Sequence, residues 1–341
     1  LEELEVFIYF YLSTGKISYG RFFMKTIILA HADCDGLCAA AIAQAKFPDA
    51  EVFFTKPVSF LADLKDADAD RIIICDIAIT RSDAMELVKE LHSRAGKSEI
   101  LYFDHHALPS NIKEGDLKAV KCIRKPDVCT SELIYRHFHK EIPSERVWVA
   151  LYGAIGDYQD DTPFALEMLA DWDKRALYFE VSTLILGIKE RQFDSYDAKR
   201  LIVKSMANGR NPSDIPGMVE SAKVAVTREF EMYDLIKKNA EKRHGIGVIT
   251  DLPHFGFRGP AALFAATITD SPMGLCICER GKYIDVTARK RRAGISLNKL
   301  METAADAVGG SGGGLQEAAG ARIPLGTLDD FLKQVSKLLG K

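Results

Sequence analysis

The sequence has no surplus of positive charge. Its 45 Lys and Arg are offset by 48 Asp and Glu, a net charge of −3, which excludes a surface that grips polyanions everywhere and requires any basic site to be local. It also lacks a disulfide framework: seven cysteines, an odd number with no CxxC pair, fit a reducing compartment and hence a cytoplasmic protein. The segment before Met24 holds only the seven-residue apolar run VFIYFYL, far short of the roughly 20 residues that span a bilayer, so no membrane anchor is expected there. Nor does it have the basic start and small-residue cleavage site of a secretory signal. Residues 1–23 therefore read as an N-terminal extension before a fold that begins at Met24. Asn and Gln together number ten, a scarcity of thermolabile amides that points toward a thermophilic source.

What is present is an ordinary globular composition, 47% hydrophobic and 27% charged over 341 residues, long enough for two domains rather than one core. From Lys25 short apolar runs alternate with amphipathic ones: KTIILA, LCAAAIAQAKF, EVFFT, RIIICD, SDAMELVKELHSRA, EILYFD. That alternation predicts βαβ units and a mostly parallel sheet covered on both faces. From Cys129 to about Arg243 the pattern is almost wholly helical, and a second, smaller α/β unit starts near Gly245 with GIGVIT and ends in a glycine cluster and a last helix. The expected division is an extension (1–23), a first α/β domain with a helical extension (24–215), a helical connector (216–243) and a C-terminal α/β domain (244–341). The active site is expected in the cleft between the two.

Polar residues gather where the apolar runs of the first domain stop. HADCDG supplies His31, Asp33 and Asp35; IIICD supplies Asp76; YFDHH supplies Asp104, His105 and His106; and the helix YGAIGDYQDD supplies Asp157. Strand carboxyl ends are where an open parallel sheet binds ligands. In extended backbone His31, Asp33 and Asp35 would project to one side. A lone Asp at a strand end is usually a helix cap, but capping does not account for four such places at once. Three or four carboxylates with two or more imidazoles are too many donors for one divalent ion. Two ions about 3.5 to 4 Å apart sharing a carboxylate would use them, and mixed imidazole and carboxylate ligation suits Mn²⁺, with Mg²⁺ also possible.

In the second unit VGGSGGGLQEAAG has five glycines within Gly309 to Gly314, which reads as a backbone cradle for phosphate. Nearby ARKRRAG offers Arg289, Lys290, Arg291 and Arg292. Cys34 and Cys38 read as packing residues. His137, His139, His244 and His254 show no partner pattern, and Phe255, Phe257 and Arg258 could stack bases, although an aromatic core is the plainer reading.

HADCDG, IICD, FDHH and GAIGDYQD, in that order, resemble the four motifs of the DHH phosphoesterase family. GGSGGGLQEAAGARIP resembles the glycine-rich signature of the DHH-associated C-terminal domain of RecJ-type exonucleases and nanoRNases, and GAIGDYQD is most similar to the archaeal RecJ-like members. The resemblance implies one metal on His31, Asp33 and Asp76, and a second on Asp35, Asp76, His105 and Asp157, with Asp76 shared. It implies Asp104 as an acceptor that orients an imidazole, His106 as the group facing the reacting phosphate, and Arg289 with Gly312, Gly313 and Gly314 as substrate contacts. Leu315 departs from the pattern, for family members usually have a histidine there. The implied activity is Mn²⁺-dependent hydrolysis of phosphodiester bonds in single-stranded DNA or RNA oligonucleotides. Alternatives are a small-molecule phosphatase, a cyclic-dinucleotide phosphodiesterase, or a Cdc45-like scaffold that binds single-stranded DNA. A replication complex such as archaeal GINS is the implied protein partner, and no membrane is expected.

Overall fold

The computed structural model describes residues 24–250, 252, 257–291 and 294–340. The N-terminal extension, His254, Phe255 and Arg292 fall outside the described residues. Strands β1 (Thr26–Ala30), β2 (Glu51–Phe54), β3 (Arg71–Cys75), β4 (Glu99–Asp104) and β5 (Lys121–Arg124) form one sheet in the order β2-β1-β3-β4-β5, every pair parallel. Helices α1 (Cys34–Lys46), α2 (Phe60–Asp66) and α3 (Ala84–Ala95) join the first four strands. The near-continuous apolar runs are explained by burial on both faces. Ile28, Ala30, Ile73, Cys75, Leu101 and Phe103 enter one core, while Ile27, Leu29, Ile72, Ile74, Ile100 and Tyr102 enter the core on the opposite face. Strand β5, KCIR, escaped the sequence reading because an edge strand needs little apolar content.

The helical segment supplies α4 (Thr130–Phe138), α5 (Val147–Gly156), α6 (Pro163–Ala170), α7 (Lys174–Gly187), α8 (Tyr196–Ala207) and the 22-residue α9 (Met218–Asn239). Helix α1 is buried from Cys34 to Ala43 because α4, α5 and α8 pack around it. Its alanine-rich run, CAAAIAQA, suits that position, since a helix apolar on all sides is one with no solvent face. Cys34 and Cys38 are buried in this packing, as expected.

The second unit is a six-stranded mixed sheet, β10-β11-β9-β8-β7-β6. It comprises β6 (Glu241–Arg243), β7 (Ile246–Thr250), α10 (Arg258–Ile268), β8 (Met273–Arg280), β9 (Tyr283–Lys290), α11 (Leu297–Asp306), β10 (Ser311–Gly314), β11 (Ala318–Pro324) and α12 (Leu328–Leu338). Two charged groups join it to the first unit: Arg81 pairs with Asp306, and Lys189 lies 4.8 Å from the ring centroid of Phe257, itself a core residue. No helix of the described residues is long and apolar enough to cross a membrane.

Candidate metal centre

Strand order decides where the site forms. β1 and β3 are neighbours, but the chain leaves β1 toward β2 and returns past it to β3, so a crevice opens at the carboxyl ends of that pair. His31, following β1, is tied across this point by its N–H to the Cys75 carbonyl, 3.1 Å away.

The three donors of HADCDG do not converge by strand alternation. The extended-backbone expectation fails because β1 ends at Ala30 and the motif turns straight into a helix: Asp33 is the N-cap of α1, accepting from the Gly36 N–H at 3.1 Å, and Asp35 lies in the first turn. Asp33 is thus both a cap and a candidate ligand, for its other oxygen lies 2.7 Å from His31 Nδ1. Only glycine fits at position 36, where a Cβ would collide with the His31 carbonyl. Asp35 is fully buried against the start of α4, where the Thr130 and Ser131 N–H groups donate to its two oxygens at 2.7 and 2.9 Å. Position 153 must also be small, because a Cβ there would strike Ser131 Oγ and Asp35 Oδ1.

Asp76 follows β3 with φ 61°, a left-handed conformation that Asp tolerates better than most residues. This turn aims its carboxylate into the crevice, 1% exposed, with Oδ1 3.3 Å from His105 Nε2 and Oδ2 3.8 Å from His31 Nδ1. Asp157 is not within a helix, as its motif suggested, but caps the C-terminus of α5, where the helix dipole adds to the negative potential. Its Oδ2 lies 3.3 Å from the same His105 Nε2.

His105 carries the clearest chemical signal. Gln159 Nε2 donates to the Pro126 carbonyl at 3.4 Å, which sets the amide so that Oε1 faces His105 Nδ1 at 3.1 Å. Nδ1 then holds a ring proton, and Nε2 is the atom turned toward the acids. That atom is buried, has no hydrogen-bond partner, and faces two carboxylates; Asp76 Oδ2 is orphaned in the same way. A ring nitrogen set between carboxylate oxygens calls for a cation there: the two acids raise the His105 pKa so that a proton serves, and a metal ion in its place would take the same donors, so the donor set fits a metal. Three compact groups can be drawn from it: His31, Asp33 and Asp76; Asp35, Asp76, His105 and Asp157; and Asp76, His105 and His106, each with ligand atoms within 4.8 Å of one another. Asp76 belongs to all three.

The charges are strongly perturbed. Burial, together with the neighbouring Asp76 and Asp157, pushes the Asp35 carboxyl up to about 8. Burial would also raise Asp76, but the His105, His31 and His106 imidazoles beside it outweigh that and hold the carboxyl well below the usual range. Such an uneven set of buried acids is what a bound dication would level.

Asp104 orients His106 rather than His105, with Oδ1 2.8 Å from His106 Nδ1; Gln159 performs that service for His105. The sequence reading missed Gln159, two residues beyond Asp157, and Arg124 at the end of β5. The Arg124 side chain, 4% exposed, donates to Asp104 Oδ2 and to the His106 carbonyl. Replacing it with Met would strand a buried carboxylate, and destabilisation of the first unit by roughly 3–5 kcal/mol is expected in urea titrations. Burial raises the Asp104 carboxyl, but His106 and Arg124 hold it below its ordinary value. The stabilisation is therefore complete above the unfolded carboxyl pKa and is lost as pH falls through the folded one.

Across the crevice the glycine cluster is not a loop. Ser311–Gly314 is the edge strand β10, paired antiparallel with β11, and Leu315 sits in the turn between them, its N–H bonded to the Ala318 carbonyl at 2.7 Å. The glycines expected to form a cradle thus lie on a sheet edge whose outward N–H groups have no strand partner among the described residues. Gly312, Gly313 and Gly314 line a cavity of about 400 Å³ whose facing wall includes Thr80, Arg81 and His106. Arg289, on β9, packs its guanidinium where a side chain on Gly259 would sit; burial lowers its pKa, while Tyr158 and Asp157 oppose that shift from the metal side. Of the rest of the basic run, the described residues are occupied: Lys290 pairs with Glu317 and Arg291 with Asp270, both at 2.6 Å. His137 lies beside Lys121 and packs on the Phe103 ring, and His244 lies beside Asp329; neither belongs to a donor group.

Comparison with known proteins agrees with this architecture. The profile of the DHH family N-terminal domain matches residues 25–155, and that of the DHHA1 domain matches residues 259–341. No curated protein matches. Among solved structures, RecJ from Thermus thermophilus in complex with Mn²⁺ superposes with a TM-score of 0.64 at 16% identity, covering 93% of this chain and 52% of RecJ, so the chain spans about half of that protein. The DHH domain of a member of a family of ribosomal proteins gives 0.66 at 16% identity, covering 93% and 87%. The pGpG-specific phosphodiesterase PggH from Vibrio cholerae gives 0.54 at 13% identity, covering 93% and 99%. With both domains matched in order, over more than half of its length, and with every motif side chain gathered at one crevice, the chain belongs to the DHH family of phosphoesterases.

Proposed function

We propose that this protein is a two-metal, Mn²⁺-dependent phosphodiesterase acting on single-stranded oligonucleotides. The observation that carries the reading is one cleft with His106 on its first wall and the glycine edge strand on its second, opening beside a buried donor set shared through Asp76. The PggH and RecJ folds, the latter solved with Mn²⁺, support it.

His31, Asp33 and Asp76 would hold one ion, and Asp35, Asp76, His105 and Asp157 the other. When bound, such ions supply Lewis-acid polarisation of phosphoryl oxygens and an activated water. The chain's own residues do the rest. Gln159 keeps His105 Nε2 turned inward, and the α4 N–H groups keep Asp35 in place. Asp104 and Arg124 hold His106 so that Nδ1 is engaged and Nε2 is left to donate to the phosphate as charge builds on it. The unpaired N–H groups of β10 and the Arg289 guanidinium would receive the phosphates beyond the scissile bond.

The direct test is incubation with Mn²⁺ and end-labelled DNA and RNA oligonucleotides of graded length, beside pyrophosphate and a small chromogenic diester. Progressive shortening of the labelled strand is expected; cleavage of pyrophosphate alone would overturn the reading. A cavity of about 400 Å³ holds roughly one nucleotide, so a free dinucleotide is the second reading, and the length series decides between them. Arg289→Ala should raise KM for oligonucleotides about 10- to 100-fold, the worth of a charged hydrogen bond. It should also flatten the salt dependence of binding by about one unit of slope. Equal loss on the small diester with no change in slope would make the arginine structural.

A further inference from the structure

Among the described residues four non-glycine residues hold a positive φ: Asp76 (61°), Tyr158 (57°), His244 (49°) and Asp270 (45°). Three have side chains that account for it. Asp76 enters the donor set, His244 Nε2 lies 3.1 Å from Asp329, and Asp270 takes a 2.6 Å bond from Arg291. Tyr158 has no such account. Its ring is 77% exposed and, among the described residues, has neither a hydrogen-bond partner for its hydroxyl nor an aromatic neighbour. Its backbone N–H bonds the Ile155 carbonyl at 3.2 Å, a turn that glycine or asparagine would make with less strain. A bulky side chain kept at an unfavourable φ and left in solvent is not there for stability.

Its position supplies a use. Tyr158 stands between Asp157, whose carboxylate meets His105 Nε2, and Gln159, which holds the other nitrogen of the same ring. From the second unit Arg289 lies near enough to Asp157 and Tyr158 for both to act electrostatically on its guanidinium. A phosphate received between the donor set and Arg289 would carry its sugar and base past this ring. We propose that Tyr158 is a stacking platform for the nucleobase of a nucleotide flanking the scissile phosphate, which makes it a determinant of substrate positioning. Stacking on an aromatic face accepts every base, so this platform would select for a base being present and not for which base it is. The inference rests on the reading of the substrate as a nucleotide chain.

The experiment compares an intact single-stranded oligonucleotide with two versions abasic at either nucleotide flanking the cleaved bond. Wild-type protein should show a KM about tenfold higher for one abasic substrate. Tyr158→Asn, which suits a left-handed backbone but has no ring, should lose that discrimination, and Tyr158→Phe should keep it. In parallel, Tyr158→Gly should raise the urea midpoint by relieving the backbone. If Tyr158→Asn distinguishes intact from abasic strands as well as the wild type does, or if Tyr158→Gly lowers the midpoint, the ring is a packing residue and the inference falls. If the wild type cleaves no oligonucleotide at all, the functional reading fails first and takes this inference with it.

Discussion

Asp76→Asn should abolish turnover. Asparagine occupies the left-handed region as readily as aspartate, so φ 61° is kept and the fold is retained. What changes is the one carboxylate common to all three donor groups. An ion's stabilisation of developing phosphoryl charge is worth several kcal/mol, and each 1.36 kcal/mol is tenfold in rate, so a loss on the order of 10³-fold or more is expected. Calorimetry with Mn²⁺ is the companion measurement. Wild-type protein should gain roughly 2.7 kcal/mol of stability at 100-fold excess over the dissociation constant, and the variant should gain far less. In the absence of metal the variant should be less stable than the wild type near neutral pH, because the fold holds the Asp76 carboxyl below its ordinary pKa and its charge is therefore favourable there. Undiminished hydrolysis by Asp76→Asn would refute the two-metal reading.

The second large effect is expected at His106. Its Nδ1 is engaged by Asp104, its side chain lines the cleft, and it is 18% exposed where His105 is fully buried. A residue that meets the phosphate only as charge develops should affect kcat more than metal binding. His106→Ala is expected to lower kcat roughly 10²- to 10⁴-fold, the usual range for a positioned acid, while Mn²⁺ affinity stays within a few-fold. The geometry leaves one rival, since Asp76, His105 and His106 also form a compact group and His106 Nδ1 is 3.8 Å from Asp76 Oδ1. Collapse of Mn²⁺ affinity in His106→Ala would promote His106 to a ligand. Arg124→Lys refines the test: if the arginine matters through Asp104 and His106, the lysine should restore part of the stability lost in Arg124→Met but little of the rate, because one ammonium cannot reach both the Asp104 carboxylate and the His106 carbonyl.

Much of the donor set was legible before any coordinates, because metal chemistry demands particular atoms and the sequence displays them as short polar clusters ending apolar runs. Residue type and position brought out His31, Asp33, Asp35, Asp76, Asp104, His105, His106 and Asp157 together with the alternation of strand and helix, while the division of these residues into ligands and others came from the family resemblance. Two supporting residues did not stand out. Gln159 and Arg124 are ordinary polar residues in sequence, and their importance comes from lying against an imidazole nitrogen and a buried carboxylate contributed from about 50 and 20 positions away. The glycine cluster shows the opposite failure. Five glycines suggested a backbone free to turn its N–H groups toward an anion, with no sign of a strand, yet pairing with β11 draws Gly312 to Gly314 into an edge strand, a tertiary gain that overrides local propensity.

By itself the sequence determined which atoms are available: carboxylates and imidazoles at strand ends, apolar runs able to be buried on two faces, small residues where helices must close on the site. Only the tertiary structure decided their arrangement. Placing β1 beside β3 joins residues 45 positions apart at one crevice, and the cap at Asp33 with the left-handed turn at Asp76 aims their side chains into it. The second sheet then sets the β10 edge opposite His106. The physical reason is that ligand type is a property of a single side chain, whereas its direction and partners depend on strand order and packing, which are settled by burial over the whole chain and leave no mark on any short stretch of it.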